Sequence, residues 1–336
     1  MHLSLRSVAL SGCLLLVGAA IALAIISGGT PSASAYEPVV DKKALAKGPV
    51  YSPYVGRAYP DQVLFGDTHF HTNLSFDAGL IGTRLGIDEA YRFARGEKVI
   101  SNSGLPVQLI RPLDFLVITD HAEFLGLAPM VHAGHPDLLA HPWGREIHEL
   151  FNQGAEGRAE AFRRIIIAGV KGENPWDAPE TARTIWQNFV DKAETYNQPG
   201  TFTAMTGFEW TSTPNGNNLH RVVIFGDDAE HTRKTVPFSQ FESFDPADLW
   251  SYLAAYEEKI GGRAIAIPHN GNLSNGLMFG LKDFEGKPIT KDYATRRARW
   301  EPLHEMSQIK GDEEAHPLLS PDDEFADFEN LSLIHI

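Results

Sequence analysis

The sequence holds a single cysteine, Cys13, among its 336 residues. An intrachain disulfide and a cysteine-based zinc site are therefore both excluded. Basic residues are also few, since 29 Lys and Arg stand against 43 Asp and Glu and give a formal net charge of −14. Because an acidic surface repels a phosphate backbone, we do not expect a nucleic-acid-binding protein. Gly-x-Ser-x-Gly and P-loop patterns are absent, so neither supplies the chemistry.

The overall composition is that of a globular protein, with 43% apolar, 10% aromatic and 21% charged residues. It excludes a disordered chain and a membrane protein with several spans. The chain is rich in one residue type that carries chemistry, because it holds 14 histidines. Imidazole is the commonest metal ligand in proteins, so the histidines are the first place to look for a site.

The first 35 residues have the pattern of an export signal. Arg6 precedes an apolar stretch at residues 8–26, and Ala33-Ser34-Ala35 is a typical cleavage pattern. We expect cleavage before Tyr36 and an exported, periplasmic or extracellular protein with no other membrane contact. An uncleaved N-terminal anchor is the alternative, because the apolar stretch is long for a cleaved signal.

The region after the signal divides into three further parts. Residues 36–61 are rich in Pro, Tyr and Gly and predict an extended lead-in. A single domain is expected over residues 62–330. Residues 331–336 resemble a translated sequencing adapter, so we expect a non-native tail on a truncated protein; a natural apolar tail is the alternative.

Within the domain, short apolar runs alternate with stretches of helical periodicity. The runs of strand length cover residues 63–65, 115–118, 201–205, 219–225 and 264–267. The helical patterns cover residues 87–95, 145–151, 159–170, 180–196 and 246–260, the last capped by Asp245. This alternation predicts an α/β layered or barrel fold, in which the carboxyl ends of parallel strands face the active site.

Histidines and carboxylates follow most of these strands. Asp67, His69 and His71 follow the first, at a spacing that turns alternate residues to one side. The next strands are followed by His121, Glu209 and His269. Nitrogen and oxygen ligands suit Zn²⁺, Mn²⁺ or Fe²⁺. The two oxygens of Glu209 suit a bridge between two metals, and paired metals favour in-line displacement reactions.

These motifs, in this order, resemble the PHP (polymerase and histidinol phosphatase) domain. The resemblance rests on Asp67-Thr-His69-Phe-His71, Asp120-His121, Gly207-Phe-Glu209 and His269. More closely, residues 60–330 resemble a family of exported PHP-like proteins of unknown function, through the blocks 207–212, 217–225 and 308–312. The resemblance implies a distorted α/β barrel, seven-stranded in that family and incomplete here, with two or three divalent metal ions (Zn, Mn or Fe).

The resemblance also implies roles for individual residues. The implied metal ligands are His69, His71, Asp77, His121, Glu209, His220 and His269. His220 precedes its apolar run, which is the wrong end for a parallel strand. The late Asp-x-His motif of PHP domains is missing. Either this family lacks the motif, or truncation removed it and the metal site is incomplete.

Two residues beside these ligands are assigned supporting roles. Asp120 is expected to orient a ligating imidazole. Arg221 is a candidate for recognition of a phosphate or another oxyanion. With Glu209, they complete the predicted catalytic set. The sequence thus predicts an exported metal-dependent hydrolase, most simply a phosphoesterase for a small anionic substrate. The alternatives are hydrolysis of an amide or a sulfate ester, and a non-catalytic protein that binds metal or ligand on a hydrolase scaffold.

Overall fold

The computed structural model describes residues 63–308 and 310–312. The predicted signal (1–35), lead-in (36–61) and tail (331–336) lie outside the described residues. The strands of the described part are β1 (Gly66–Phe70), β2 (Val99–Ile100), β3 (Pro106–Val107), β4 (Phe115–Ile118), β5 (Thr203–Trp210), β6 (Arg221–Phe225), β7 (Ala264–Pro268), β8 (Ser307–Gln308) and β9 (Gly311–Asp312).

Helices occupy the longer connections between these strands. They are α1 (Phe76–Ile81), α2 (Ile87–Ala94), α3 (Leu127–Ala133), α4 (Pro136–Ala140), α5 (Pro142–Phe151), α6 (Gly154–Val170), α7 (Pro179–Tyr196), α8 (Ala229–Thr232), α9 (Pro246–Ile260) and α10 (Lys291–Trp300). None of the described helices combines the length and apolar character needed to cross a membrane.

The main sheet has the strand order β1-β4-β5-β6-β7 and curls into a half-barrel. β1, β4 and β5 are parallel, whereas β6 runs antiparallel to both β5 and β7. The fold is therefore mixed α/β, as the alternating pattern predicts. A seven-stranded PHP-type barrel is not confirmed, since the main sheet of the described residues has five strands.

Two strands differ most from the boundaries that the apolar runs predict. Residues 63–65 are exposed and precede β1, which begins at Gly66. β5 continues to Trp210, because its second half pairs with β6. Glu209 is therefore a strand residue rather than part of the loop that follows.

The long helices agree closely with the periodic stretches. α9 spans residues 246–260 as predicted, and the Asp245 side chain accepts a hydrogen bond of 2.9 Å from the backbone N–H of Ala247 at its start. Gly261 ends this helix in a left-handed conformation, with φ of 81°. Five further helices are not predicted by the periodicity, namely α1, α3, α4, α8 and α10.

Successive residues of a strand point to opposite faces, and this rule separates the core from the site. On the outer face, Phe208 and Val223 pack with Trp186 of α7 and Trp250 of α9 in the largest buried cluster. The opposite, inner face carries a smaller apolar cluster formed by Val117, Val222, Ile224 and Ile267. Residue 209 falls on the inner face, since it alternates with Phe208.

Candidate metal centre

Glu209 lies at the centre of a group of polar side chains on the inner face of the sheet. Its side chain is 1% exposed. Its backbone N–H donates to the carbonyl of Asp120 at 3.0 Å, and its carbonyl accepts from the N–H of Ala122 at 2.8 Å. These bonds place Glu209 beside His121, which follows β4. A carboxylate buried to this degree requires cationic or hydrogen-bonding partners.

One oxygen of this carboxylate, Oε2, faces the two histidines of the first motif. It lies 3.3 Å from Nε2 of His69 and 2.9 Å from Nε2 of His71. On the far side of His69, Nδ1 lies 2.8 Å from Oε2 of Glu305. His69 therefore stands between two carboxylates.

The other oxygen, Oε1 of Glu209, faces three further histidines. It lies 2.8 Å from Nδ1 of His220 and 3.1 Å from Nε2 of His269. Nδ1 of His121 lies farther away, at 3.5 Å, and also contacts the hydroxyl of Thr211. Each oxygen of the Glu209 carboxylate thus faces a separate set of imidazoles.

Asp77, in the first turn of α1, lies between His71 and His121. Its Oδ1 lies 3.3 Å from Nδ1 of His71, and its Oδ2 lies 3.2 Å from Nε2 of His121. The hydroxyl of Ser75 donates to Oδ1 of Asp77 at 2.6 Å and fixes its orientation.

Ligand atoms of these side chains form four overlapping groups, in each of which three atoms lie within 4.8 Å of one another. The groups are His69-His269-Glu305, His69-His71-Glu209, His71-Asp77-His121 and Glu209-His220-His269. We refer to these eight residues as the metal cluster. All seven sequence-predicted ligands belong to it.

The antiparallel direction of β6 explains how His220 reaches the metal cluster. His220 precedes β6, and in a parallel strand it would lie at the opposite end of the sheet. Because β6 is reversed, the beginning of β6 meets the ends of β5 and β7, where Glu209 and His269 lie. The backbone N–H of His269 donates to the carbonyl of His220 at 3.1 Å and joins the two strands at this point.

Asp67 does not join His69 and His71, contrary to the expectation from its spacing. Asp67 pairs with Leu116, whereas Phe70 pairs with Ile118, so β1 contains one extra residue between these pairs. A bulge of this kind reverses the alternation of side chains. The Asp67 side chain is exposed and accepts a hydrogen bond of 2.8 Å from the backbone N–H of His69.

Asp120 is close to the metal cluster, but its side chain forms no hydrogen bond with an imidazole of the described residues, which corrects the sequence-based expectation. Its two oxygens accept hydrogen bonds from the backbone N–H and the hydroxyl of Thr72, at 2.5 and 2.6 Å. Burial raises the pKa of the Asp120 carboxyl, whereas the two hydrogen bonds from Thr72 favour its ionised form. Asp120 therefore fixes the backbone directly after His71.

Arg221 is not available to an anionic substrate, and the recognition role predicted for it is wrong. Its neighbour His220 faces the metal cluster, so the alternation of β6 turns Arg221 to the outer face. There its side chain is 1% exposed, and Nε lies 3.0 Å from Oε1 of Glu301. The Trp250 indole N–H donates to the same oxygen at 2.8 Å. Arg221 is thus part of a buried ion pair in the core.

The chain's own carboxylates hold two of the histidines in the charged form when no metal is present. Burial lowers the pKa of His69 and of His71, but hydrogen bonds to Glu209, and to Glu305 or Asp77, outweigh burial. They raise the pKa of His69 to about 9 and that of His71 to about 10. Burial opposes ionisation of Asp77 and Glu209, but the surrounding histidines hold both pKa values well below the usual range.

Two other histidines are held neutral. Burial lowers the pKa of His220 to about 4 and lowers that of His269 well below its ordinary value. Nε2 of His220 and Nδ1 of His269 are buried and have no hydrogen-bond partner among the described residues. Neutral imidazole is the form that binds metal.

The donor set fits divalent cations. A carboxylate offers about four lone-pair positions, yet five imidazole nitrogens approach the two oxygens of Glu209 within 3.5 Å. Cations between the nitrogens and the oxygens would satisfy both. Nitrogen and carboxylate ligands suit Zn²⁺, Mn²⁺ or Fe²⁺, and the described ligands do not distinguish among them.

Sequence reasoning missed Glu305, which contacts His69. Glu305 follows α10 without an apolar run before it, so no strand-end signal marks it. It reaches the metal cluster because its backbone N–H donates to the carbonyl of Pro268, the last residue of β7, at 3.1 Å. By contrast, four histidines between β4 and α6 belong to none of the four groups: His132, His135, His141 and His148.

Comparison with known proteins identifies the family. A family model described as "Protein of unknown function (DUF3604)" matches residues 58–335. Comparisons with curated proteins and with solved structures gave no match. The matched region covers well over half of the sequence, and the chain therefore belongs to the DUF3604 family.

Proposed function

We propose that this protein is a metal-dependent hydrolase that acts on phosphoesters. The observation that carries the proposal is the arrangement around Glu209. Its Oε2 faces His69 and His71, while its Oε1 faces His220 and His269. A carboxylate with a separate set of imidazoles on each oxygen has the form of a bridge between two cations.

Divalent cations at this centre would supply Lewis acidity and water of lowered pKa, the requirements of in-line displacement at phosphorus. The residues of the metal cluster would hold these cations. His220, His269 and Glu209 form the closed, buried side of the metal cluster. His69, His71 and Asp77 are only partly buried, so this side remains open to a substrate.

The charge of the loaded centre supports an anionic substrate. The metal cluster contains three carboxylates, those of Asp77, Glu209 and Glu305. Two divalent cations would more than neutralise them and would make the centre locally positive. Bound cations can in this way attract an anion to a protein whose net charge is −14.

A substrate panel tests the proposal. The protein is treated with a chelator, reloaded with Zn²⁺, Mn²⁺ or Fe²⁺ and assayed with nitrophenyl phosphate monoesters and diesters, nitrophenyl sulfate and an anilide. We expect phosphate esters to be hydrolysed in a metal-dependent manner and Glu209→Gln to abolish the rate. Glu258→Gln, an exposed carboxylate of α9, is the matched control.

The outcomes separate the alternatives. Metal-dependent hydrolysis of only the sulfate or the anilide would contradict phosphoester specificity but retain a hydrolase. Full metal loading without turnover of any substrate would contradict catalysis and favour a metal-binding or ligand-binding protein.

A further inference from the structure

A cavity of about 160 Å³ lies beside the metal cluster, and none of its lining residues belongs to that cluster. Its walls come from three segments, namely residues 122–125 after β4, residues 174–183 at the start of α7, and residues 236–242 before α9. Ala122, which lines the cavity, follows His121 and donates its backbone N–H to the carbonyl of Glu209. The proposed hydrolysis gives this cavity no role.

Three aromatic rings line the cavity, those of Phe124, Trp176 and Phe241. Phe124 and Trp176 are buried, and the rings of Phe124 and Phe241 meet edge to face with their centroids 5.0 Å apart. An apolar cavity of about 150 Å³ in another protein holds a benzene molecule. The volume and the lining therefore fit one small aromatic ring system.

The cavity wall that contains Phe124 is held in a strained conformation. Phe124 has a φ of 54°, in the left-handed region that an aromatic residue seldom adopts. The buried carboxylate of Glu123 fixes this segment, since it accepts hydrogen bonds from the backbone N–H groups of Gln240 at 2.6 Å and Thr211 at 3.1 Å. The bond to Gln240 joins two of the three walls. Strain that is maintained in this way is typical of a functional site.

One polar atom of the cavity lining has no partner. Oδ1 of Asn174 is buried, yet it accepts no hydrogen bond within residues 63–308 and 310–312. Since buried acceptors nearly always have a partner, a donor on a bound ligand would satisfy this oxygen. The exposed residues of the lining include two carboxylates, Asp177 and Glu242, against one guanidinium, Arg183. This balance of charge disfavours an anionic ligand.

We propose that this cavity binds a small planar aromatic molecule that carries an N–H or O–H donor. The rings of Phe124, Trp176 and Phe241 surround the ligand, and its donor binds Oδ1 of Asn174. The site is separate from the metal cluster, so the inference goes beyond the proposed hydrolysis and does not depend on it.

Two probes of nearly the same shape test the inference on the full-length chain. Indole presents an N–H donor, and benzofuran has an oxygen acceptor at the same position of the ring. Binding of each probe is measured by NMR titration. Asn174→Leu removes the unpaired acceptor and keeps the approximate size of the side chain. Ala182→Phe adds a ring at an exposed residue of the lining, and Gln187→Phe adds one at an exposed residue of α7 outside it, as the matched control.

We expect indole to bind saturably and benzofuran to bind about tenfold more weakly, because benzofuran leaves the acceptor of Asn174 unpaired. Asn174→Leu should bring the two affinities to within about twofold of each other, since it removes the acceptor that distinguishes the probes. Ala182→Phe should weaken indole binding by about tenfold or more, because the added ring occupies space that the ligand needs. Gln187→Phe should leave it unchanged.

Three results would overturn the inference. The first is indole that does not bind, and the second is indole that binds no better than benzofuran. The third is equal indole binding by the Ala182→Phe and Gln187→Phe proteins, since it would place the bound indole outside the cavity. The melting temperature of each variant shows whether it is folded. The comparison of the two probes uses the unmodified protein, so it decides the question even where a variant does not fold.

Discussion

Nδ1 of His220 lies 2.8 Å from Oε1 of Glu209, although the two residues stand at opposite ends of their strands. The contact exists because β6 runs antiparallel to β5. On the other side of the carboxylate, Oε2 contacts His69, which lies in β1, and His71, which follows β1. Glu209 is therefore the residue on which the integrity of the metal cluster most depends.

Replacement of Glu209 by Gln should lower the metal content more than any other single change. The amide keeps the shape of the side chain but removes the charge and one acceptor. We expect the affinity for the bound cations to fall at least tenfold. Loss of a residue that only hydrogen-bonds to a metal ligand already lowers metal affinity by about tenfold or more. Competition with a chromogenic chelator measures the affinity. An affinity within twofold of that of Glu258→Gln would contradict a bridging role.

Metal binding should release protons and become tighter as the pH increases. Without metal, His69 and His71 are protonated at neutral pH, because their pKa values are raised to about 9 and about 10. Both must lose the proton to bind a cation. Titration calorimetry in two buffers of different ionisation enthalpy counts the released protons. The His71→Gln protein should release fewer protons on metal binding. A metal affinity independent of pH between about 6.5 and 9 would contradict the assignment of His69 and His71 as protonated ligands.

The same shifts predict how the stability of the metal-free protein depends on pH. A histidine whose pKa is raised on folding contributes stability that is complete below its unfolded pKa, near 6.5, and is lost as the pH rises through the folded value. The melting temperature of the chelator-treated protein should therefore fall as the pH approaches 9 to 10. The metal-loaded protein should lack this dependence, and identical profiles for the two forms would contradict the prediction.

Loss of Arg221 should impair stability rather than anion binding. Arg221→Met removes one of the two cations that face the buried Glu301 carboxylate, which keeps Arg297, 2.9 Å from its other oxygen, and the indole N–H of Trp250. We expect the free energy of unfolding to fall by about 3 kcal/mol, measured by urea denaturation. Arg221→Met/Glu301→Leu should lose less, since it also removes the buried carboxylate that Arg221 no longer neutralises. Weakened phosphate binding in a stable Arg221→Met protein would restore the recognition role.

Asp120→Asn should affect the metal cluster indirectly, through Thr72. An amide cannot accept both hydrogen bonds of Thr72 with equal strength, so the backbone after His71 should loosen. We expect the metal affinity to decrease by about tenfold. Thr72→Val removes one of the two bonds and should cause a smaller decrease in the same direction. An unchanged affinity in Asp120→Asn would show that the position of His71 does not depend on this contact.

The sequence allowed most of the metal cluster to be predicted, because histidines and carboxylates mark the ends of strands. His71, His121 and His269 all follow short apolar runs that form strands β1, β4 and β7 or adjoin them. Helices with a clear apolar stripe were also predictable, and α9 matches its pattern at both ends. These features depend on local chain geometry alone.

Other features depend on strand direction and register, which local patterns do not encode. The antiparallel pairing of β6 brings His220 into the metal cluster and turns Arg221 into the core. A single extra residue in β1 separates Asp67 from His69. Glu305 enters through a backbone hydrogen bond to Pro268, at the end of a strand 37 residues earlier in the sequence.

Elemental analysis of the purified full-length protein tests the central claim most directly. The metal cluster, with Glu209 between two sets of imidazoles, predicts at least two divalent cations per chain. It also predicts that Glu209→Gln retains fewer cations than Glu258→Gln under the same conditions. A protein that binds no Zn²⁺, Mn²⁺ or Fe²⁺ above background after reloading, or one whose metal content does not change with Glu209→Gln, would contradict the account.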